Sequence, residues 1–238
     1  MKSIEQSTSP VSGRWLARRE VTLPTWRTCL VGIAIFSLCL VTGMRMLYPF
    51  LATDQQFEKS AAGSADLLCV EGWAHDGVLD AAVVAFENGV ADRIAVTGGP
   101  VQSRERLLGF DSYAELGADR LEARGVPREA ILVSVPGQAT QRRTLHDIRE
   151  LRRTLASLDF EPTRIQVISG DVHARRTGLL FSRVFGSGVE IRSCSVAPEG
   201  YDPARWWASS EGLKTVVMEA ISWTYESLAP IDPLIGGS

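Results

Sequence analysis

The sequence predicts an α/β fold: a three-layer sandwich around a mainly parallel sheet of about five strands, preceded by one apolar N-terminal span. Three observations predict it. From Ala65 onward, short runs rich in β-branched residues alternate with longer amphipathic runs, the pattern of βαβ units. The short runs end in turns that hold glycine, proline or polar residues. Residues 28–44 contain no charged side chain at all.

The elements follow in order. Asp66-Leu67-Leu68-Cys69-Val70 reads as the first strand. A helix over about 78–88 follows, with Leu79, Ala82, Val83 and Phe86 on one face. Residues 93–97 form the second strand, which stops at Gly98-Gly99-Pro100. The next helix, about 112–124, ends at Gly125 and Pro127, a normal stop signal. Residues 131–135 are the third strand. The helix after it, about 140–158, carries Leu145, Ile148, Leu151, Leu155 and Leu158 at helical spacing. A fourth strand at 164–169 leads into a helix over 172–185, and 189–193 is a fifth strand. The last helix, about 210–227, starts at Ser-Ser-Glu and is expected to bury Leu213, Val217, Ala220 and Ile221. Trp206-Trp207 is expected to pack this helix onto the domain.

The apolar segment, residues 28–51, is read as a single-pass membrane anchor. Arg45 near its end can snorkel to headgroups, and Trp26 and Tyr48 sit where interfacial aromatics are expected. A cleaved signal peptide is the competing reading; Ala52-Thr53-Asp54 fits its small-residue cleavage pattern poorly. Residues 1–27 carry five basic side chains against two acidic ones. That excess predicts a cytoplasmic N-terminus and a domain, 65–238, held outside, joined by a linker at 52–64. From residue 52 onward there are 19 basic and 26 acidic side chains. An acidic domain argues against nucleic acid as a partner, because that affinity comes from cations neutralising phosphates. The chain has no CxxC and no Cys/His zinc spacing, so its four cysteines read as small buried hydrophobes; a Cys69–Cys194 disulfide stays an alternative.

In parallel α/β sheets ligands bind beyond the carboxyl ends of the strands, and the residues there are unusual. Glu71-Gly72-Trp73 follows the first strand and Gly98-Gly99 the second. Thr140, Arg142 and Arg143 follow the third, and His173, Arg175 and Arg176 the fourth. Glycines allow close approach to backbone, helix N-termini present amide hydrogens, and arginine forks match phosphate or carboxylate oxygens. Glu71, Gly72, Gly98, Gly99, Thr140, Arg142, Arg143, Arg175 and Arg176 are therefore the candidate ligand-binding residues. His173 is the candidate general acid or base. The expected ligand is an anionic or phosphorylated small molecule. A weaker alternative gathers Glu71, His75, Asp76, Asp171 and His173 as metal ligands. No P-loop, GxSxG or SxxK motif is present, and no cofactor is specified.

Four segments resemble the YdcF/SanA/ElyC family of bacterial envelope-associated proteins: ADLLCVEGW, IAVTGGP, RGVPREAI and ISGDVHARRTGLLF. The last is the most specific, through His173 and Arg176 as His-x-x-Arg after a strand. Glu71-Gly72-Trp73 replaces the family's glycine-rich turn, and Thr140-Gln141-Arg142-Arg143 replaces its Thr-x-Glu-Asn step. The resemblance implies a Rossmann-like fold and a part in cell-envelope or lipid-carrier metabolism, at the inner membrane. Phosphoryl or pyrophosphoryl hydrolysis or transfer is the reaction class to expect of an enzyme here. The other readings are a non-catalytic scaffold, which the missing Glu and Asn favour, and S-adenosylmethionine or nucleotide binding.

Overall fold

The computed structural model describes residues 25–53, 63–101 and 109–230. The basic N-terminal segment and most of the linker lie outside them. The chain divides into two units, one ending at Val41 and one beginning at Thr42. To the first belongs most of α1 (Trp26–Leu51), the one described helix long and apolar enough to cross a membrane.

The second unit is an α/β domain. Its strands are β1 (Leu67–Glu71), β2 (Ile94–Thr97), β3 (Ile131–Ser134), β4 (Arg164–Gly170) and β5 (Glu190–Val196). They form one sheet in the order β3-β2-β1-β4-β5, and every pairing is parallel. The central strands β1 and β2 are buried along their whole length, and β4 at all but its first residue, because helices cover both faces. Beyond Arg164 at the start of β4, exposure is confined to the edge strands β3 and β5.

Between the strands run α2 (Asp76–Glu87), α3 (Tyr113–Glu122), α4 (Arg143–Ser157) and α5 (His173–Phe185), and α6 (Ser210–Leu228) follows β5. One core joins β1, β2 and β4 to α2 and α3 through Leu68, Val70, Val78, Leu79, Ile94, Val96 and Leu121. The opposite face joins the sheet to α4 and α5 through Leu67, Val167, Leu145, Leu151, Leu155 and Phe181. Cys69 faces the second core and Cys194 the first. The two thiols therefore lie on opposite faces of the sheet and are free, which removes the disulfide alternative.

A third cluster involves the last turns of α1. Leu51 and Ala52 are buried with Val172, Trp206 and Val216, and Met44, Leu47, Tyr48 and Trp223 pack around them. Ser195 donates its backbone N–H to the Thr53 carbonyl, so the chain leaving α1 is pinned to β5. The expected linker thus begins inside the domain's core, and Trp206 packs as the sequence predicts.

Three boundaries and one face differ from expectation. α4 starts at Arg143, because Arg142 adopts a left-handed conformation (φ 48°) that a helix interior excludes. β5 runs on to Val196, since each further residue finds a register partner on β4 as far as Gly170. α2 begins two residues early, at Asp76. On α6 the buried residues are Gly212, Val216, Glu219 and Glu226, whereas Leu213, Val217 and Ile221 are exposed. The reason lies in the ion pairs of the two glutamates, described next.

Candidate functional site

The chain progresses outward from β1 to β3 and then returns to place β4 on the other side of β1, so the topological switch lies between β1 and β4. A cleft of about 730 Å3 opens beyond the carboxyl ends of these strands. Its walls come from four turns: Trp73 after β1, Gly99-Pro100-Val101 after β2, Gly137-Gln138-Ala139 after β3, and His173 after β4. Tyr113 of α3, Arg143, Thr144 and Asp147 of α4, and Arg176 of α5 complete it.

His173 is the first residue of α5, and Arg176 follows one turn later on the same face. Both meet Glu219, which is 3% exposed and reaches in from α6. His173 Nδ1 lies 2.8 Å from Glu219 Oε2. Arg176 donates Nε–H to Glu219 Oε1 and Nη1–H to Thr144 Oγ1 at 3.2 Å. Arg176 Nη2 also lies 3.2 Å from His173 Nδ1. Both are donors when the ring holds its Nδ1 proton, so that proton goes to the carboxylate. The carboxylate thus fixes the imidazole's tautomer and leaves Nε2 for an occupant of the cleft. Trp73 holds the ring edge-to-face at 5.4 Å.

Burial alone would push His173 toward the neutral imidazole. The hydrogen bond and charge of Glu219, reinforced by the charge of Glu71, outweigh that burial and raise its pKa. Burial likewise opposes the charge on Glu219, but His173 and Arg176 hold its pKa below the usual carboxylate range.

Asp147 was missed by the sequence reading. The residue is 8% exposed, and its carboxyl is pushed up to about 7, first by burial and then by the charge of Glu71, against the pull of Arg143. The sequence does hold a signal for it. Asp147 lies four residues before Leu151 and next to Ile148, inside the buried stripe of α4, one turn after Arg143. A charge within an apolar stripe is exceptional and calls for a partner or a purpose.

Among the expected residues, Gly99, Arg143, His173 and Arg176 line the cleft. Arg143 is exposed and makes no hydrogen bond or ion pair with the described residues, although its charge acts on Asp147. Glu71 is buried beneath the site, where Ser169 Oγ donates to it at 2.9 Å and Thr177 Oγ1 at 3.4 Å. Its charge reaches Asp147, His173 and Arg176 alike.

The others do different work. Gly72 and Gly98 are packing residues: a Cβ on Gly72 would lie 2.0 Å from the Tyr113 carbonyl oxygen, and one on Gly98 2.7 Å from Tyr113 Cβ. They let the first turn of α3 sit on the strand ends, and the amides of Tyr113 and Ala114 donate to the Gly99 and Gly98 carbonyls. Those two amides are therefore spent. Arg142 turns away to bind the buried Glu226, with Nη2 2.6 Å from Oε2, and donates to the Pro230 carbonyl. Arg175 points toward the end of α1, where it donates to the Phe50 carbonyl and lies 4.1 Å over the Phe50 ring. Thr140 is exposed outside the cleft lining.

Two features favour an anion in this cleft. Helices α4 and α5 both begin at it, and neither has a side chain capping its N-terminus. First-turn amide hydrogens of α4 and the positive ends of two helix dipoles thus converge where Arg143, His173 and Arg176 add cationic donors, whereas the Ala174 amide of α5 already donates to the Asp171 carbonyl. The five candidate metal ligands do not converge: Asp76 pairs with Arg120 and Arg124, His75 with Glu199, Asp171 with Tyr201, and His173 with Glu219. No three His, Cys, Asp or Glu residues are grouped to hold a metal ion among the described residues.

No family model and no curated protein matches this chain.

Proposed function

We propose that the chain is a membrane-anchored envelope protein of the YdcF/SanA/ElyC type whose cleft binds a phosphorylated or otherwise anionic small ligand. One observation carries the ligand class: two uncapped helix N-termini open on a cleft that also holds Arg143, His173 and Arg176. Arg143 and the α4 amides would hold anion oxygens, while His173 would donate from the nitrogen opposite Glu219. Asp147, whose titration is pushed up to about 7 by burial and the charge of Glu71, is a second group able to give or take a proton beside that anion. Phosphoryl or pyrophosphoryl hydrolysis or transfer is the reaction class this pair of titratable groups suits.

Support for an uncleaved anchor comes from the third core cluster. Cleavage after Ala52 would remove Leu51, which is completely buried against Trp206 and Val216. A discarded signal peptide would leave that cluster without Leu51 and Ala52. With the basic excess before α1, the domain would lie outside the cytoplasm.

The test is a thermal-shift series on the full chain in detergent with phosphate, pyrophosphate and a polyprenyl phosphate. Ligands that bind the native state raise the melting temperature. A rise with at least one phosphorylated probe, absent in Arg143→Ala, is expected. No rise with any of the three would overturn the anion-binding reading and leave a scaffold role.

A further inference from the structure

The outward face of α6 is unexplained by the fold. Outside α1, the described residues include ten large apolar side chains that are exposed, and six of them lie on this one helix: Leu213, Val217, Met218, Ile221, Tyr225 and Leu228. Leu213, Val217, Ile221, Tyr225 and Leu228 recur every three or four residues and so form a stripe. Leu228 is 80% exposed and Ile221 57%. A continuous apolar stripe on a surface helix marks a contact, whereas single exposed apolar residues mean nothing.

We propose that this face of α6 lies in the headgroup layer of the bilayer that holds α1, giving the domain a second, interfacial membrane contact. The inference rests on the anchor reading above. Its particular support is continuity with the end of the anchor. Val216, Ala220 and Trp223 pack with Leu51, Leu47 and Tyr48, and the Phe50 ring meets Trp223 edge-to-face at 5.0 Å. Two residues of the exposed stripe, Val217 and Ile221, directly follow Val216 and Ala220 of that contact. A hydrocarbon core takes about 20 helical residues, which from Trp26 sets its far boundary near Met46. The part of α1 that touches α6 is thus the part at the membrane surface.

The chemistry of the face suits lipid better than protein. Lys214 is exposed among the apolar side chains and can lift its ammonium to lipid phosphates, and Tyr225 is an interfacial residue type. The opposite side of α6 carries Glu219 and Glu226, which hold Arg176, His173 and Arg142. One helix therefore joins the membrane contact to the groups that orient the cleft's basic residues.

The experiment uses the full chain in vesicles of phosphatidylethanolamine and phosphatidylglycerol. Cys29 and Cys39, the exposed cysteines, are replaced by Ser, and the buried Cys69 and Cys194 stay in place. A fluorophore is attached in separate variants at Val217→Cys, Ile221→Cys, Leu158→Cys and Ile35→Cys. Spin-labelled lipid should quench the labels at 217 and 221 several-fold more than the label at 158, an exposed leucine of the α4 end. Aqueous iodide should show the reverse order. If iodide reaches 217 and 221 as freely as 158 while 35 is quenched by lipid, the α6 contact is refuted and the anchor stands. If iodide also reaches 35, the anchor reading and this inference fall together. Labels at 217 and 221 shielded from both quenchers would assign the face to a second copy and overturn the lipid contact.

Discussion

Replacing Glu219 by Gln is the most informative single change, since that carboxylate orients both His173 and Arg176. The side chain is 4% exposed and receives the His173 ring nitrogen at 2.8 Å, the Arg176 Nε–H, and the Arg176 Nη2–H at 3.3 Å. Gln keeps the shape and one acceptor oxygen but removes the charge. Removing one partner of a buried ion pair costs about 3–5 kcal/mol. Glu71 still compensates Arg176 in part, so the lower end, about 3 kcal/mol, is expected, or a melting temperature lower by roughly 6–12 °C for a domain of this size. The pH dependence has a definite sign. His173 is raised above its ordinary 6.5, so its contribution is complete below that value and is lost as pH climbs through the raised one. Glu219 is lowered from 4.5, so its contribution is present above that value and is lost as pH falls through the depressed one. Stability from the pair therefore spans the interval between the two native titrations, and Glu219→Gln should flatten it. With the Glu219 charge gone and only Glu71 opposing burial, His173 should titrate lower than in the parent by proton NMR of its ring. An unfolding free energy within about 0.5 kcal/mol of the parent, together with an unmoved His173 titration, would refute the account of this site.

Asp147→Asn should stabilise the protein at pH 8 by a few kcal/mol: a titration moved from 3.8 to about 7, at about 1.4 kcal/mol per pH unit, sets a ceiling near 4 kcal/mol. The parent should lose stability as pH rises from about 4 to 7, because the unfolded chain releases that proton first, and urea melts of the variant should lack this decline. Arg143→Ala should leave the melting temperature of the unliganded protein within a degree or two, since the side chain is exposed and makes no ion pair with the described residues. In calorimetric titrations the same change should weaken pyrophosphate binding about tenfold or more, the loss of one or two charge-assisted hydrogen bonds. The two kinds of glycine should separate cleanly. Gly72→Ala drives a methyl to 2.0 Å from the Tyr113 carbonyl oxygen and should cost about 3 kcal/mol or more. Gly99→Ala meets nothing nearer than Pro136 Cγ at 3.7 Å and should be nearly neutral in the same denaturation assay.

The residues by themselves determined the order and kind of the elements. Strand and helix periods are local properties, so the β-branched runs at β1 to β5 and the leucine spacing of α4 were readable without knowing what they pack against. The edge of the sheet that carries the site was readable too, because parallel βαβ units place their turns there. The tertiary structure decided which side chains reach the cleft. Arg142 and Arg143 are adjacent in sequence, yet one is drawn to Glu226 by a left-handed turn while its neighbour faces the cleft. On α6 both arcs of the helix carry apolar residues, and hydropathy points to Leu213, Val217 and Ile221 as the buried set. Glu219 and Glu226 take the inside instead, because His173, Arg176 and Arg142 wait there from other elements. A buried carboxylate is stable only beside its counter-charge, and these counter-charges lie 43 to 84 residues away along the chain. Asp147 follows the same rule in reverse: its titration is raised first by burial and then by the charge of Glu71, a residue of β1 that no local pattern connects to it. Periodicity depends on neighbours in sequence, whereas charge pairing depends on neighbours in space, and only folding brings the two together.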